Sequence, residues 1–140
     1  MDLHSLDRFL KAQEHKYETA LKEIQNGKKR THWMWYIFPQ LRGLGKSDMA
    51  YTYGIAGMEE ARAYLEHPIL SARLIEITES LLEHKDKDAY KIFGDIDEMK
   101  LHSCMTLFAI ASDGDPLFQE VLDCFFDGEP DEYTQNLIDL

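Results

Sequence analysis

The sequence lacks the short motifs that mark the best-known catalytic and metal sites. It contains no GxSxG, which would indicate a serine hydrolase, and no HExxH, which would indicate a zinc protease. It also contains no P-loop, no GxGxxG and no paired CxxC. We therefore predict no metal site and no cofactor, and the residues themselves indicate no particular reaction.

Cysteines and long apolar runs are also scarce. The only two cysteines, Cys104 and Cys124, fall in segments that we predict to be buried helix. We interpret them as small buried hydrophobes, with a catalytic or redox cysteine as the alternative. No run of about 18 apolar residues indicates a membrane-spanning helix. The first residues, MDLHSLDRF, carry charge where a signal peptide needs an apolar stretch, so we expect a cytoplasmic protein without membrane contact.

Positive charge is limited and unevenly distributed. The chain has 15 Lys and Arg against 26 Asp and Glu, a net charge of -11. Such a surface repels phosphate backbones, so we expect no binding to duplex nucleic acid. Residues 24–47 are the exception, because they contain five basic residues and no acidic one. An isolated positive region on a negative protein can still attract a small anion.

Helical patterns dominate the remainder of the chain. Residues 1–140 fit one all-helical domain of about six to eight helices without significant sheet. Apolar residues between Leu6 and Ile24 form one stripe, which predicts a single amphipathic helix. The clearest helix begins at Pro68, and a later one is predicted to begin after an Asp115 cap. The segment after residue 95 is apolar nearly all round, so we place it centrally.

Both tryptophans lie in one stretch, KKRTHWMWYIFPQLRGLGKS, which we call the tryptophan segment (residues 28–47). Its apolar core, residues 33–38, fits a short helix that Thr31 could cap and that should end near Phe38, because Pro39 follows. The aromatic residues could be purely structural. The surrounding polar residues instead favour a site, since arginine suits phosphate or carboxylate and flat aromatic faces can stack on a ring.

The candidate residues for such a site come from two regions. The first is the tryptophan segment, where His32 is a proton-transfer candidate and the ligand-binding candidates are Arg30, Trp33, Trp35, Gln40, Arg42 and Lys46. The second is KLHSCMT, where Lys100 and Ser103 share one side of a helix and could face the same pocket. A structural histidine and a surface lysine that buries only its stem remain the alternatives.

These residues carry a resemblance to a known family. The chain resembles, over nearly its whole length, the bacterial domain-of-unknown-function family 1810, whose members are sometimes labelled calpastatin. We discount that label, because calpastatin is a long disordered chain and this sequence is patterned for a compact core. The resemblance implies a single all-helical domain and no activity. The matching residues are His32, Trp33, Trp35, Phe38, Pro39, Gln40, Arg42, Gly43, Gly45, Tyr53, Gly54, Lys100, Ser103 and Met105.

We therefore hypothesise a small-ligand pocket, with or without enzymatic activity, for an anionic nucleotide-like or sugar-phosphate molecule. Two alternatives stay open. The aromatic cluster could be the docking surface for a protein partner, or it could be core with no site at all. A polar pocket beside His32 would favour the first hypothesis, and full burial of both tryptophans without a cavity would favour the last. The sequence gives no indication of the oligomeric state.

Overall fold

The structure, a computed structural model, describes residues 5–139 and contains helices but no strand within them. The ten helices are α1 Asp7–Glu14, α2 Tyr17–Gln25, α3 Met34–Ile37, α4 Asp48–Tyr53, α5 Met58–Glu66, α6 Pro68–Leu82, α7 Ala89–Phe93, α8 Asp95–Ala111, α9 Pro116–Phe125 and α10 Glu132–Ile138. The all-helical class is confirmed. The predicted number of about six to eight helices is too low.

Part of the difference comes from the first predicted helix, which is two helices. The chain leaves the helix at His15 and Lys16 and resumes it at Tyr17. Before the break, the buried side chain of Gln13 donates a hydrogen bond from Nε2 to the carbonyl oxygen of Tyr36, at 2.8 Å. The apolar stripe runs across the break, and no glycine or proline marks it, so the sequence pattern alone suggested one helix.

Helix α8 is the centre of the fold, as its apolar sequence predicted. It packs against α5, α7, α9 and α10, and its middle turns are buried from Ser103 to Phe108. Cys104 is fully buried there, and burial raises the pKa of its thiol, which fits a structural cysteine. Helix α6 packs on α2, α5 and α9 through a buried row that includes Leu74 and Leu81.

Two predicted helix starts are confirmed. Pro68 occupies the first turn of α6, and the Asp115 side chain accepts a hydrogen bond from the backbone N–H of Leu117 at 2.9 Å at the start of α9. Between residues 5 and 139, no helix combines the length and the apolar character that crossing a membrane would require.

The tryptophan segment contains the short helix α3 followed by a bend. The helix ends before Phe38, whose ψ of 73° is not helical, as the following Pro39 predicted. The predicted Thr31 cap is wrong. Trp33 directly precedes the helix without a side-chain cap, and the Thr31 hydroxyl instead donates a hydrogen bond to the carboxylate of Glu23. After the bend, one isolated bridge joins Leu41 to Ile55 and holds residues 40–45, here called the glycine loop, against the segment that follows α4.

Candidate functional site

Trp33 is a core residue of the protein. Its side chain has 0% exposure, and its ring packs beside that of Phe38. The indole N–H donates a hydrogen bond to Oε1 of Glu23 at 2.9 Å. A buried indole that is satisfied in this way has no face open for a ligand. We therefore leave Trp33 out of the candidate site.

The Glu23 carboxylate fixes the start of the tryptophan segment. Its two oxygens accept hydrogen bonds from the backbone N–H groups of Arg30 (2.7 Å) and Thr31 (3.0 Å), from the Thr31 hydroxyl (2.7 Å) and from Trp33. Burial by itself would raise the pKa of Glu23. The hydrogen bonds to the ionised form outweigh burial and lower the pKa from 4.5 to about 2.

Four of the candidates from the tryptophan segment do not line a cavity. Arg30, His32 and Lys46 are exposed on the surface. Arg42 is occupied within the protein, since its Nε donates to the carbonyl oxygen of Tyr51 at 2.9 Å and its guanidinium lies 4.6 Å from the centre of the Tyr51 ring. The structure therefore does not assemble the cluster of cations that the sequence suggested.

An open groove of about 700 Å³ lies in the described part of the chain. Its walls are the glycine loop, the first half of α8 and helix α10. It is lined by Gln40, Gly43, Leu44, Gly45, Ile96, Met99, Lys100, His102, Ser103, Asp131, Tyr133, Asn136 and Leu137. Its volume lies within the usual range for small-molecule sites. Most of the exposed lining area is apolar, and six of the thirteen lining residues contribute polar side chains.

Two glycines of the glycine loop shape this wall of the groove. Gly43 has a φ of +106°, a conformation that side chains rarely adopt. A methyl group on Gly45 would lie 2.7 Å from Cβ of Ala50 and 3.3 Å from the amide nitrogen of Gln40. Glycine at position 45 therefore lets the loop approach α4 while Gln40 keeps its place in the groove.

Lys100 supplies the positive charge of the groove. Its ammonium lies 4.7 Å from the centre of the half-buried Trp35 ring and 3.7 Å from the carboxylate of Asp97. Asp97 forms a shorter ion pair with Lys29, at 2.8 Å. Two lysines therefore share one carboxylate, so Asp97 compensates the charge of Lys100 only in part.

Asp131 and Ser103 join α10 to α8. Oδ2 of Asp131 accepts hydrogen bonds from the backbone N–H (3.0 Å) and hydroxyl (2.6 Å) of Thr134, and it lies 3.2 Å from the Ser103 hydroxyl. The backbone N–H of Asp131 donates to the hydroxyl of Thr106 at 2.8 Å. These bonds hold the two helices at a fixed separation, so the groove is preformed.

His102 also borders the groove, in a fixed orientation. Its Nε2 lies 2.6 Å from the carbonyl oxygen of Glu129. Its ring stacks on that of Phe126, with 4.1 Å between the ring centres and an interplanar angle of 1°. A carbonyl that fixes one ring nitrogen is a common arrangement for functional histidines. The sequence pointed to His32 for this role, but His32 lies on the surface outside the groove.

Three predicted ligand-binding residues meet in the groove: Gln40, Lys100 and Ser103. Trp35 borders a narrow crevice that shares Gln40 and Lys100 with it. The contribution of α10 was missed, because its polar residues resemble an ordinary solvated surface. Within residues 5–139, no three His, Cys, Asp or Glu side chains converge in a way that could hold a metal ion.

Arg42 gives a first test of which residues belong to the site. Replacing Arg42 with methionine should lower the free energy of unfolding by about 1–2 kcal/mol, because a hydrogen bond and a stacked cation are lost. Denaturant melts measure this loss. Ligand binding in the groove should be unchanged. An Arg42→Met variant that is as stable as the wild type but does not bind ligand would show that Arg42 belongs to the binding site.

Comparison with protein families identifies the family of the chain. The family model described as "Protein of unknown function (DUF1810)" matches residues 3–138. A crystal structure of the conserved hypothetical protein Rv1873 from Mycobacterium tuberculosis is 43% identical in sequence, with a TM-score of 0.96 over 99% of each chain. The comparison with curated proteins gives no match. These findings establish the family and the fold and carry no statement of activity.

Proposed function

The chain belongs to the DUF1810 family of unknown function, and we propose that it binds a small, ring-containing molecule with one negative charge in the groove between the glycine loop, α8 and α10. The observation that carries the proposal is the placement of Lys100. Its ammonium is only partly compensated by Asp97, whereas the one carboxylate in the described lining, that of Asp131, is hydrogen-bonded to Thr134, and the remaining lining area is mainly apolar. Few polar groups in an apolar cleft are typical of small-molecule sites.

The proposed ligand class differs from the nucleotide or sugar phosphate that the sequence suggested. Arg42 and Lys46 lie outside the groove, and within the described residues its lining contains one lysine and no arginine. One ammonium suits a monoanion such as a carboxylate better than a more highly charged phosphate. The walls formed by Leu44, Met99 and Leu137 favour an apolar ring over a sugar.

The proposal is tested by calorimetric titration of the protein with 4-hydroxybenzoate, adenosine monophosphate and glucose 6-phosphate. We expect the aromatic carboxylate to bind most tightly. Replacing Lys100 with methionine should weaken its binding by about tenfold or more, because the charge partner of the ligand is lost. The fold should be retained, since Asp97 keeps its shorter ion pair with Lys29 and a methionine can still pack on Trp35.

The matched control is Lys85→Met, which removes the same charge from an exposed loop outside the groove. That variant should bind as the wild type does. Equal affinity of the wild type and Lys100→Met, or the absence of saturable binding with all three compounds, would contradict the proposal.

One observation favours a second candidate function. Three large apolar side chains of the groove are mostly exposed: Ile96 (70%), Met99 (63%) and Tyr133 (71%). Exposed apolar residues grouped at one rim are also found where a protein partner docks. The alternative function is therefore the docking of a partner that covers these three side chains. Their simultaneous replacement by serine would then abolish partner binding, whereas a small-ligand site would keep its dependence on Lys100.

A further inference from the structure

We propose that His102 selects among the ring-containing anions that enter the groove, by accepting a hydrogen bond at Nδ1 from a hydroxyl or N–H group of the ligand. The inference rests on the proposed function, since it concerns the same groove. The His102 acceptor would be a second recognition element beside the positive charge of Lys100. The groove would then take a ring that carries both an anionic group and a hydrogen-bond donor.

The contact with Glu129 determines which ring nitrogen is the acceptor. A backbone carbonyl oxygen can only accept a hydrogen bond, so Nε2 of His102, at 2.6 Å, must carry the hydrogen. In the neutral imidazole the other nitrogen, Nδ1, then has no hydrogen and is an acceptor. Within residues 5–139, no protein group donates a hydrogen bond to Nδ1.

The ring is also held in place. The Phe126 ring covers one face of the imidazole at 4.1 Å and is parallel to it within 1°. Rotating the imidazole out of this plane would lose both the stacking and the hydrogen bond to Glu129, and a half-turn within the plane would still lose the hydrogen bond. The orientation of the imidazole, which borders the groove, is therefore set before a ligand arrives, and a preorganised acceptor discriminates well between ligands.

Two of the other polar side chains in the groove are already engaged within the protein. Oδ2 of Asp131 already lies within hydrogen-bonding distance of three donors, two from Thr134 and one from Ser103. The Ser103 hydroxyl is engaged with Asp131 and with the carbonyl oxygen of Met99. Lys100 has only donors and suits the anionic end of the ligand. His102 thus complements Lys100 with the opposite hydrogen-bonding character.

The experiment compares pairs of probes that differ in one donor. The affinities of 2-, 3- and 4-hydroxybenzoate are measured by calorimetry against those of the corresponding methoxybenzoates. In the wild type, at least one hydroxyl isomer should bind about tenfold more tightly than its methoxy partner, as expected for one well-placed hydrogen bond. In His102→Gln, this ratio should fall to about one.

Glutamine is the informative replacement because its amide can donate to the Glu129 carbonyl while it places no acceptor at the Nδ1 position. His84→Gln is the matched control. His84 also contacts a backbone carbonyl through Nε2, at 3.0 Å from that of Gln25, but it lies outside the groove. Its replacement should leave the ratio of affinities unchanged.

Each outcome separates the two proposals. A hydroxyl preference that persists in His102→Gln would come from shape, and it would overturn the role of His102 while the binding site stands. Failure of every probe to bind the wild type would overturn the site and the inference together. In the free protein, a nitrogen NMR spectrum should show His102 with its hydrogen on Nε2, and a hydrogen on Nδ1 would contradict the assignment.

Discussion

Replacing Glu23 with alanine is expected to lower the free energy of unfolding by about 3–5 kcal/mol. The carboxylate accepts four hydrogen bonds from Arg30, Thr31 and Trp33, and the side chain is buried. Its removal leaves the Trp33 indole N–H in the core without an acceptor. An unsatisfied buried donor costs about 1–3 kcal/mol, and the lost bonds to a charged group add to this.

The same carboxylate makes the free energy of unfolding depend on pH in the acidic range. The pKa of Glu23 is lowered from 4.5 to about 2, so the ionised form contributes to stability above pH 4.5. As the pH falls from 4.5 towards 2, the folded protein must protonate this group, and the contribution is lost. The shift corresponds to about 3 kcal/mol. Glu23→Gln cannot titrate, so its stability should fall less steeply than that of the wild type over this range.

Urea melts at several pH values measure both effects, with Glu18→Ala on the exposed side of the same helix as the control. The control should change stability by less than about 1 kcal/mol. If Glu23→Ala changed stability no more than the control does, the carboxylate would not hold the tryptophan segment in place.

The second large effect is expected for Glu60→Ala, at about 3–5 kcal/mol. The Glu60 side chain is 1% exposed, and its carboxylate accepts hydrogen bonds from the Arg8 guanidinium at 2.7 and 3.1 Å and from the backbone N–H of Ala56 at 2.9 Å. Burial opposes ionisation, but these bonds and the charge of Arg8 lower the pKa of Glu60. Removing one partner of a buried pair leaves the other charge uncompensated.

The loss of Glu60 is expected to weaken further contacts of Arg8. It also donates to the carbonyl oxygens of Thr52 (2.8 Å) and Gly54 (2.9 Å), so it joins α1 to the chain that leaves α4. Thermal and denaturant melts of Glu60→Ala measure the effect against Glu66→Ala, an exposed position on the same helix. The Glu66 variant should change stability by no more than about 0.5 kcal/mol. Equal stability of the two variants would show that the Arg8–Glu60 pair contributes little.

Much of the fold could be predicted from the sequence, because the residues that start and place each helix are close together in the chain. Pro68 and Asp115 mark helix starts, and the apolar surroundings of Cys104 mark a central helix. The break at His15 could not be predicted from the sequence, because no glycine or proline marks it, and the contact beside it joins Gln13 to Tyr36, 23 residues further along the chain. Turns made by ordinary residues leave no local signal in one sequence.

The candidate site could be predicted only in part, because tertiary contacts also determine which of its residues meet. Lys100 and Ser103 were recognised because the helical repeat puts them on one side of α8. The role of Trp33 depends on Glu23 in α2, which accepts its hydrogen bond and makes the indole a buried donor instead of a stacking surface. Neither the stacking of His102 on Phe126 nor the approach of Asp131 follows from sequence spacing. Tertiary contacts decided which of the polar residues meet.

The most direct test of the account is an NMR titration of nitrogen-labelled protein with 4-hydroxybenzoate. If the ligand site is the groove, the largest shifts should fall on backbone amides around it, including those of Gly43, Gly45, Ser103 and Asn136. These shifts should saturate together, and they should require a much higher ligand concentration in Lys100→Met. Shifts concentrated on residues 28–33, or none that saturate, would contradict the assignment of the site to the groove.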